Sequence, residues 1–198
     1  MREISDHWAR KAKQEGYPAR SVYKLKEIEE KFGVLPQRGL VLDLGASPGS
    51  WTLFVLRHRE GRCAVVAADL APLDLRPAPE GLVFHQGDIC ESSLRLMLET
   101  EGPYDTLLSD AAPSTTGNRT VDTARSEALV GEVLEIARGA LKPGGACVVK
   151  IFQGSGQKRI MDGMKKIFAT VKAFKPKACR SESFETYFIG QNKIGGKR

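Results

Sequence analysis

Four ionisable residues, far apart along the chain, have types and positions suited to chemistry: Lys24, Asp110, Lys150 and Glu185. Asp110 follows the apolar run 104–109, at the strand end where open α/β sheets place ligand groups. Lys150 interrupts the run 146–152, and a buried parallel strand should be almost continuously apolar. Taken alone it is a lysine facing water or pairing with a carboxylate. Glu185 opens the last strand-like run, and Lys24 comes from a helical stretch ahead of the first strand. Three further carboxylates end strand-like runs: Asp43, Asp69 and Asp88. Asp69 stands at the tip of a second strand, placed to accept hydrogen bonds from ribose hydroxyls. Each could instead cap a helix.

The stretch 41–51 is where these groups converge. It runs as a short apolar strand to Leu44, turns through Gly45 and Gly49, and enters a helical run at Trp51. The glycines admit close approach of a ligand to the backbone, and the helix start offers unpaired N–H groups. The spacing is G-x-x-x-G with Pro48 inside, and neither lysine nor third glycine follows. It is therefore neither the dinucleotide G-x-G-x-x-G loop nor a P-loop. Without a ligand it would be a tight strand-to-helix turn.

The elements that must position these residues follow from periodicity. Val22, Leu25, Ile28 and Phe32 recur at helical spacing and predict a helix over 19–32, stopped by Gly33. Strands are predicted over 40–44, 63–68, 82–88, 104–109 and 146–152. Helices are predicted over 51–57, 91–101, 122–141 and 157–169. Lys142-Pro143-Gly144-Gly145 predicts a stop and turn before the fifth strand. The runs 171–174 and 186–189 predict a final antiparallel hairpin, and 193–198 a loose basic tail.

At 198 residues the chain predicts one domain, 1–198, with 1–38 as a basic helical extension. No apolar run is long enough to span a bilayer and the N-terminus lacks a signal-peptide core, so a cytoplasmic protein is expected. Cys63, Cys90, Cys147 and Cys179 have no C-x-x-C spacing and the three histidines are scattered, so no metal site is expected. The net charge of +6 is uneven: residues 1–38 carry +3, 39–141 carry −7, and 142–198 carry +10. Two basic ends that meet in space would make a phosphate-binding surface. Arg10, Lys11, Lys13, Arg20, Lys158 and Arg159 are its candidate contacts. No apolar surface stripe is evident, and a monomer is expected.

The loop resembles the S-adenosylmethionine (SAM) loop of class I methyltransferases. Nearly the whole chain, from Asp6 to Ile189, resembles the FtsJ-type (RrmJ-like) ribosomal RNA 2′-O-ribose methyltransferases. The marks are Arg20-Ser21-Val22-Tyr23-Lys24-Leu25, Asp43-Leu44-Gly45-Ala46-Ser47-Pro48-Gly49-Ser50-Trp51, Ser109-Asp110-Ala111-Ala112-Pro113, Val149-Lys150-Ile151-Phe152-Gln153-Gly154, and Ser183-Phe184-Glu185-Thr186-Tyr187. The resemblance implies a Rossmann-like α/β fold: seven strands, mostly parallel, helices on both faces and a C-terminal antiparallel hairpin. It implies SAM as cofactor, with cofactor positions at Asp43, Gly45, Gly49, Trp51, Asp69, Asp88 and Asp110. The family's Lys-Asp-Lys-Glu tetrad falls on Lys24, Asp110, Lys150 and Glu185. Lys150 is then the base, or the cation beside a forming alkoxide. Asp110 orients it next to the methyl group, and Lys24 and Glu185 position the ribose and tune Lys150. Ser47 and Ser50 stand where the family more often has Ala and Gly, and Ser114 where Asn is common.

The implied substrate is large-subunit ribosomal RNA, with a uridine of the A-loop as target. The same tetrad would serve a tRNA anticodon loop or an mRNA cap, and a non-catalytic RNA-binding assembly factor could keep the fold. Exocyclic-amine methylation would want Asn/Asp-Pro-Pro-aromatic after the fourth strand. Pyrimidine C5 methylation would want a Pro-Cys turn. Both are absent. The glycine spacing disfavours a nicotinamide-dependent oxidoreductase.

Overall fold

A computed structural model describes residues 2–154, 156–180 and 182–195. Seven strands form one sheet: β1 (Gly39–Leu44), β2 (Cys63–Asp69), β3 (Leu82–Gln86), β4 (Tyr104–Ser109), β5 (Leu141–Phe152), β6 (Phe168–Phe174) and β7 (Glu185–Lys193). The spatial order is β3-β2-β1-β4-β5-β7-β6. The first five strands are mutually parallel, while β7 runs antiparallel to both β5 and β6. The chain leaves β1 towards β2 and β3, then returns to place β4 on the other side. That reversal opens the crevice beyond the strand ends where doubly wound sheets bind ligands.

Among the described residues there are six helices: α1 (Arg2–Gln14), α2 (Val22–Phe32), α3 (Ser50–His58), α4 (Ser92–Glu101), α5 (Arg119–Ala140) and α6 (Gln157–Met164), of which α2 and α3 pack on one face of the sheet and α4, α5 and α6 on the other. Successive strand residues point to opposite faces, and the core divides accordingly. Leu42, Leu107 and Val149 pack with Leu98 of α4, Ile136 of α5 and Met164 of α6. Val41, Leu108, Val148 and Tyr187 pack with Leu25 and Ile28 of α2 and Val55 of α3. This is the expected Rossmann-like arrangement, mostly parallel with a C-terminal antiparallel hairpin.

Several boundaries differ from the sequence reading. Residues 19–21 precede α2 as tight turns, with Lys24 N–H donating to Ser21 O at 3.0 Å. Gly33 does end α2, in the left-handed region at φ 59°. Lys142-Pro143-Gly144-Gly145 lies inside β5 as a bulge, because pairing jumps from Tyr104↔Leu141 to Thr106↔Ala146. The helix read over 157–169 ends at Met164. Phe168 is buried and pairs with Lys193, so sheet pairing claims the rest of that run. Lys193 is part of β7 rather than a tail, and its Nζ donates to the carbonyls of Arg138 and Leu141 at 2.6 Å each. Residues 196–198 of that tail lie outside the described residues.

The two basic ends of the chain do meet. Gln191 Nε2 donates to Phe32 O at 2.9 Å, and the Phe32 and Phe174 rings lie 5.4 Å apart. Glu27 of α2 accepts hydrogen bonds from the Lys177 and Ala178 N–H groups, both at 2.8 Å, in the connection between β6 and β7.

Candidate active site

The loop after β1 closes against the segment after β4. Gly45 has φ 73°, and a Cβ there would sit 2.5 Å from the Ala111 Cα. Only glycine therefore lets this loop approach the chain beside Asp110. Gly49, at φ 109°, precedes α3, and a Cβ there would meet the Leu75 side chain at 2.7 Å. The Ser47 N–H donates to Asp69 Oδ2 at 2.9 Å, and the Ala71 N–H to Asp69 Oδ1 at 2.8 Å. The Cys90 N–H donates to Asp88 Oδ1 at 2.9 Å. Both carboxylates are thus fixed by backbone at their strand ends, each oxygen keeping a lone pair for a ligand.

A cavity of about 460 Å³ opens between them, lined by Gly45, Asp69, Asp88, residues 111–114 and the side of α5 at Arg125, Leu129 and Glu132. Apolar surface from Leu70, Ile89 and Leu129 with two carboxylates at the rim suits a nucleoside: the flat base against apolar walls, the hydroxyls and amine on the acids. Together with the cradle that a Cβ at Gly45 would fill, the residues present fit SAM.

Of the other sequence-predicted cofactor positions, Asp110 adjoins the cavity through Ala111, whereas Asp43, Gly49 and Trp51 do not line it. Asp43 lies beneath the loop, fully buried. Its Oδ2 accepts from Thr52 Oγ1 at 2.7 Å, and its Oδ1 has no partner among the described residues. Burial pushes the Asp43 carboxyl up to about 7, against the opposing Thr52 hydrogen bond. Trp51 is buried and donates from Nε1 to Ser21 O at 2.9 Å, with its ring 5.9 Å from Tyr187. It braces α3 against the turn before α2 and against Tyr187 of β7.

Lys24, Asp110, Lys150 and Glu185 come together at the carboxyl edge of the sheet. Lys150 Nζ lies 2.9 Å from Asp110 Oδ1 and also donates to the Asp110 carbonyl. Lys24 Nζ lies 2.7 Å from Glu185 Oε1 and 3.9 Å from Asp110 Oδ1. The side chains are 10, 17, 10 and 13 % exposed, in the order Lys24, Asp110, Lys150, Glu185. Strand register explains the meeting. Lys150 pairs with Tyr187, and Phe152 with Glu185, so all four side chains share the face covered by α2. For Lys24, burial alone would push its ammonium down, but Asp110 and Glu185 outweigh it and hold the group above its ordinary value. For Asp110, burial pushes upward, and Lys150 and Lys24 overcome it, so its carboxyl lies below the usual range. Two buried cations facing two partly buried anions form a charge-balanced cluster.

Tyr187 is a member of this cluster that sequence reasoning missed. It is fully buried, its hydroxyl donates to Asp110 Oδ1 at 2.7 Å, and burial beside Asp110 and Glu185 holds its phenol well above 10. The period of two from Glu185 to Tyr187 on a strand was the available signal. The α5 wall of the cavity was also missed, since nothing in helical periodicity indicates which side of α5 borders a ligand. Among the candidate phosphate contacts, Lys11 pairs with Glu15 at 3.9 Å and Arg159 with Glu127 at 3.1 Å, while Lys13 and Lys158 are exposed. Among the described residues no cluster of His, Cys, Asp or Glu could hold a metal, and no helix is long and apolar enough to cross a membrane.

Comparison with known proteins agrees with this geometry. The sequence profile of the FtsJ-like methyltransferases matches residues 17–193. The "Ribosomal RNA large subunit methyltransferase E" of Treponema denticola is 54% identical over 187 residues, covering 93% of each chain. The protein of the same name from Oleidesulfovibrio alaskensis is 46% identical over 192 residues, covering 96% of this chain and 92% of that one. Among solved structures, a Plasmodium falciparum protein described as a ribosomal RNA methyltransferase superposes with a TM-score of 0.79 at 27% identity, covering 91% of this chain and all (100%) of that one. A Methanococcus jannaschii fibrillarin shares the fold, with a TM-score of 0.58 at 18% identity over 82% of this chain and 70% of that one.

Proposed function

The chain belongs to the FtsJ-like methyltransferases, and from that premise we propose that it methylates the ribose 2′-hydroxyl of a uridine in large-subunit ribosomal RNA. The target is proposed to lie in the A-loop of the assembled large subunit, reached in the cytoplasm by a monomer acting as one domain. SAM, the cofactor of these enzymes, supplies an electrophilic methyl group carried on a sulfonium. The observation that carries the reading is the largely buried Lys24–Asp110–Lys150–Glu185 cluster beside the cavity edged by Asp69 and Asp88.

A ribose hydroxyl is a weak acid and needs help to lose its proton as it attacks. Lys150, held by both the carboxylate and the carbonyl of Asp110, is fixed in direction at the sheet edge. It assists that proton loss, by accepting the proton or by stabilising the forming alkoxide. Asp110 orients Lys150 and, through Ala111, borders the cofactor cavity. Lys24 and Glu185, paired at 2.7 Å, form the other wall of the cluster and position the ribose. Asp69 and Asp88 hold the cofactor's nucleoside hydroxyls and base amine. Gly45 admits the cofactor close to the backbone, while Asp43, Gly49 and Trp51 shape the loop from behind. Much of the rate gain comes from alignment of hydroxyl and methyl, which a pre-formed rigid cluster provides. The two basic ends of the chain, brought together where α2 packs against the hairpin, support an RNA substrate.

The test uses purified protein, SAM carrying a labelled methyl group, and large ribosomal subunits lacking the modification. The RNA is then digested with alkali. A 2′-O-methyl group blocks cleavage of its own phosphodiester, so label recovered in dinucleotides supports the reading. Label in mononucleotides would mean base methylation and would overturn it. Label on tRNA or capped RNA alone would keep the chemistry and refute the ribosomal substrate.

A further inference from the structure

Asp43 is a carboxylate for which the proposed chemistry has no direct use. It lies two residues before Gly45, under the loop that closes against the Asp110 segment, and it is fully buried. Its Oδ2 accepts from the Thr52 hydroxyl at 2.7 Å, while Oδ1 has no partner among the described residues. The neighbouring carboxylates are better supplied. Asp69 accepts two backbone N–H groups, and Asp110 faces the ammoniums of Lys150 and Lys24 and the Tyr187 hydroxyl.

The groups that face Asp43 from other elements are anions or are engaged elsewhere. Asp69 stands at the tip of β2 and Asp110 follows β4, and both oppose ionisation of Asp43. From α3 comes the Thr52 hydroxyl, whereas Arg57 and His58 lie in the last turn of that helix and are exposed. Lys24 of α2 and Lys150 of β5 are turned to Asp110 and Glu185. A buried carboxylate without a cation is costly to ionise and holds a proton instead. Burial raises the Asp43 carboxyl to about 7, so a change in nearby charge alters its ionisation near neutral pH. SAM brings such a charge. Its cavity is lined by Gly45, Asp69 and Ala111, and its methyl end must reach the cluster at Asp110. Methyl transfer converts the sulfonium into a neutral thioether, so the product lacks that charge.

We infer that Asp43 is a specificity-determining residue: an unpaired buried carboxylate behind the loop that favours the cationic cofactor SAM over its neutral product, S-adenosylhomocysteine. Asp110 does not supply this preference, because two lysines already balance its charge. The consequence is proton-linked binding. A cation at the loop lowers the Asp43 carboxyl, so Asp43 gives up a proton when SAM binds near neutral pH and keeps it when the product binds. After transfer Asp43 regains its proton, which ties product release to the loss of positive charge. The inference depends on the cofactor alone and not on which RNA hydroxyl is methylated.

The test is calorimetric titration of wild type, Asp43→Asn and Thr52→Val with SAM and with S-adenosylhomocysteine, from about pH 5 to 8.5. Buffers of different ionisation enthalpy count the protons released. If the cation lowers the carboxyl from about 7 to about 6, the wild-type ratio of SAM affinity to product affinity should rise about tenfold over this range. Near about pH 6.5, SAM binding should release about half a proton more than product binding. In Asp43→Asn the ratio should be about tenfold lower at about pH 8.5 and should follow only the ligands' own titration. Thr52→Val removes the hydroxyl that favours the ionised form, so the rise should move up by about one pH unit. Product binding retained in the variants shows that they fold. If Asp43→Asn binds neither ligand, the wild-type proton count and the Thr52→Val midpoint decide. Equal proton release with both ligands in wild type, or a pH-dependent ratio that Asp43→Asn leaves unchanged, overturns the inference.

Discussion

Replacing Tyr187 with Phe removes one oxygen from the middle of the charged cluster and nothing else. The ring is fully buried between β5 and α2, so the change leaves packing nearly intact. What is lost is the hydroxyl's 2.7 Å hydrogen bond to Asp110 Oδ1. A hydrogen bond to an ionised acceptor contributes about 1.5–3 kcal/mol. Asp110 keeps Lys150 at 2.9 Å and Lys24 at 3.9 Å, so a loss near the middle of that range, about 2 kcal/mol, is expected. For a domain of this size that corresponds to roughly 4–8 °C in Tm. The pH dependence follows from Asp110, whose folded carboxyl lies below its ordinary value partly because of this bond. A depressed carboxyl contributes stability that is present above its unfolded pKa of about 3.9 and is lost as pH falls through the folded value. Without the hydroxyl the folded value rises and the contribution shrinks. The gap between wild type and variant should therefore be full at neutral pH and narrow as pH drops below about 4. Urea melts of both proteins across this range measure it. A neutral-pH difference under about 0.5 kcal/mol, smaller than any charge-assisted bond, would refute the reasoning, as would a gap that widens on acidification.

Lys150→Ala should reduce methyl transfer by at least about a hundredfold while leaving SAM affinity unchanged, read by single-turnover kinetics and calorimetry. Gly45→Ala should do the reverse at first sight, abolishing SAM binding. A left-handed Ala costs about 1–2 kcal/mol, and its Cβ, 2.5 Å from the Ala111 Cα, must push the loop or the Asp110 segment aside. Calorimetry and thermal melts together would show it, and normal SAM affinity would refute the close approach. Asp43→Asn should stabilise the protein without added SAM increasingly as pH rises from about 4 to 7, by up to about 4 kcal/mol at the upper end. The wild-type carboxyl, pushed up to about 7 by burial, stays protonated in the folded protein over that window while the unfolded chain ionises, so the wild type loses stability as pH rises and the Asn variant does not. Equal stability curves for the two proteins would contradict that assignment.

The five parallel strands and the clustering of the tetrad were legible because each rests on a local signal. Apolar runs ending in Asp43, Asp69 and Asp110 mark strand tips, and strand tips of one sheet share an edge. The misplaced boundaries have a common cause. Phe168 follows a helical run and reads as its continuation, but pairing with Lys193 pulls it into β6. Lys142-Pro143-Gly144-Gly145 has turn composition, yet β5 carries it as a bulge because β4 accepts Leu141 on one side of it and Ala146 on the other. Partners distant in sequence decided both cases, and local propensity is blind to them. Asp43, Gly49 and Trp51 show a similar limit: glycine spacing marks the loop, but not which of its residues line the cavity and which do not.

The charged cluster depends on one register that pairing distant in sequence specifies. Glu185 and Tyr187 reach Lys24, Asp110 and Lys150 only because β7 pairs Phe152 with Glu185 and Lys150 with Tyr187. A slip of one residue would turn both side chains to the opposite face of the sheet, among α5 and α6. Burial on both faces prevents it. Phe188 belongs to the core on the α5 and α6 side, and Tyr187 and Ile189 to the core under α2 and α3, so a slip would exchange buried apolar residues for Glu185 and Thr186. Gly190 adds a second restraint, since a Cβ there would meet the Phe168 ring at 2.5 Å. The alternation Tyr187, Phe188, Ile189, Gly190 thus sets the position of Glu185, five residues back from the glycine. The apolar packing of the last hairpin holds the charged cluster in place, and substitutions that weaken the hairpin should impair methyl transfer without touching a catalytic side chain.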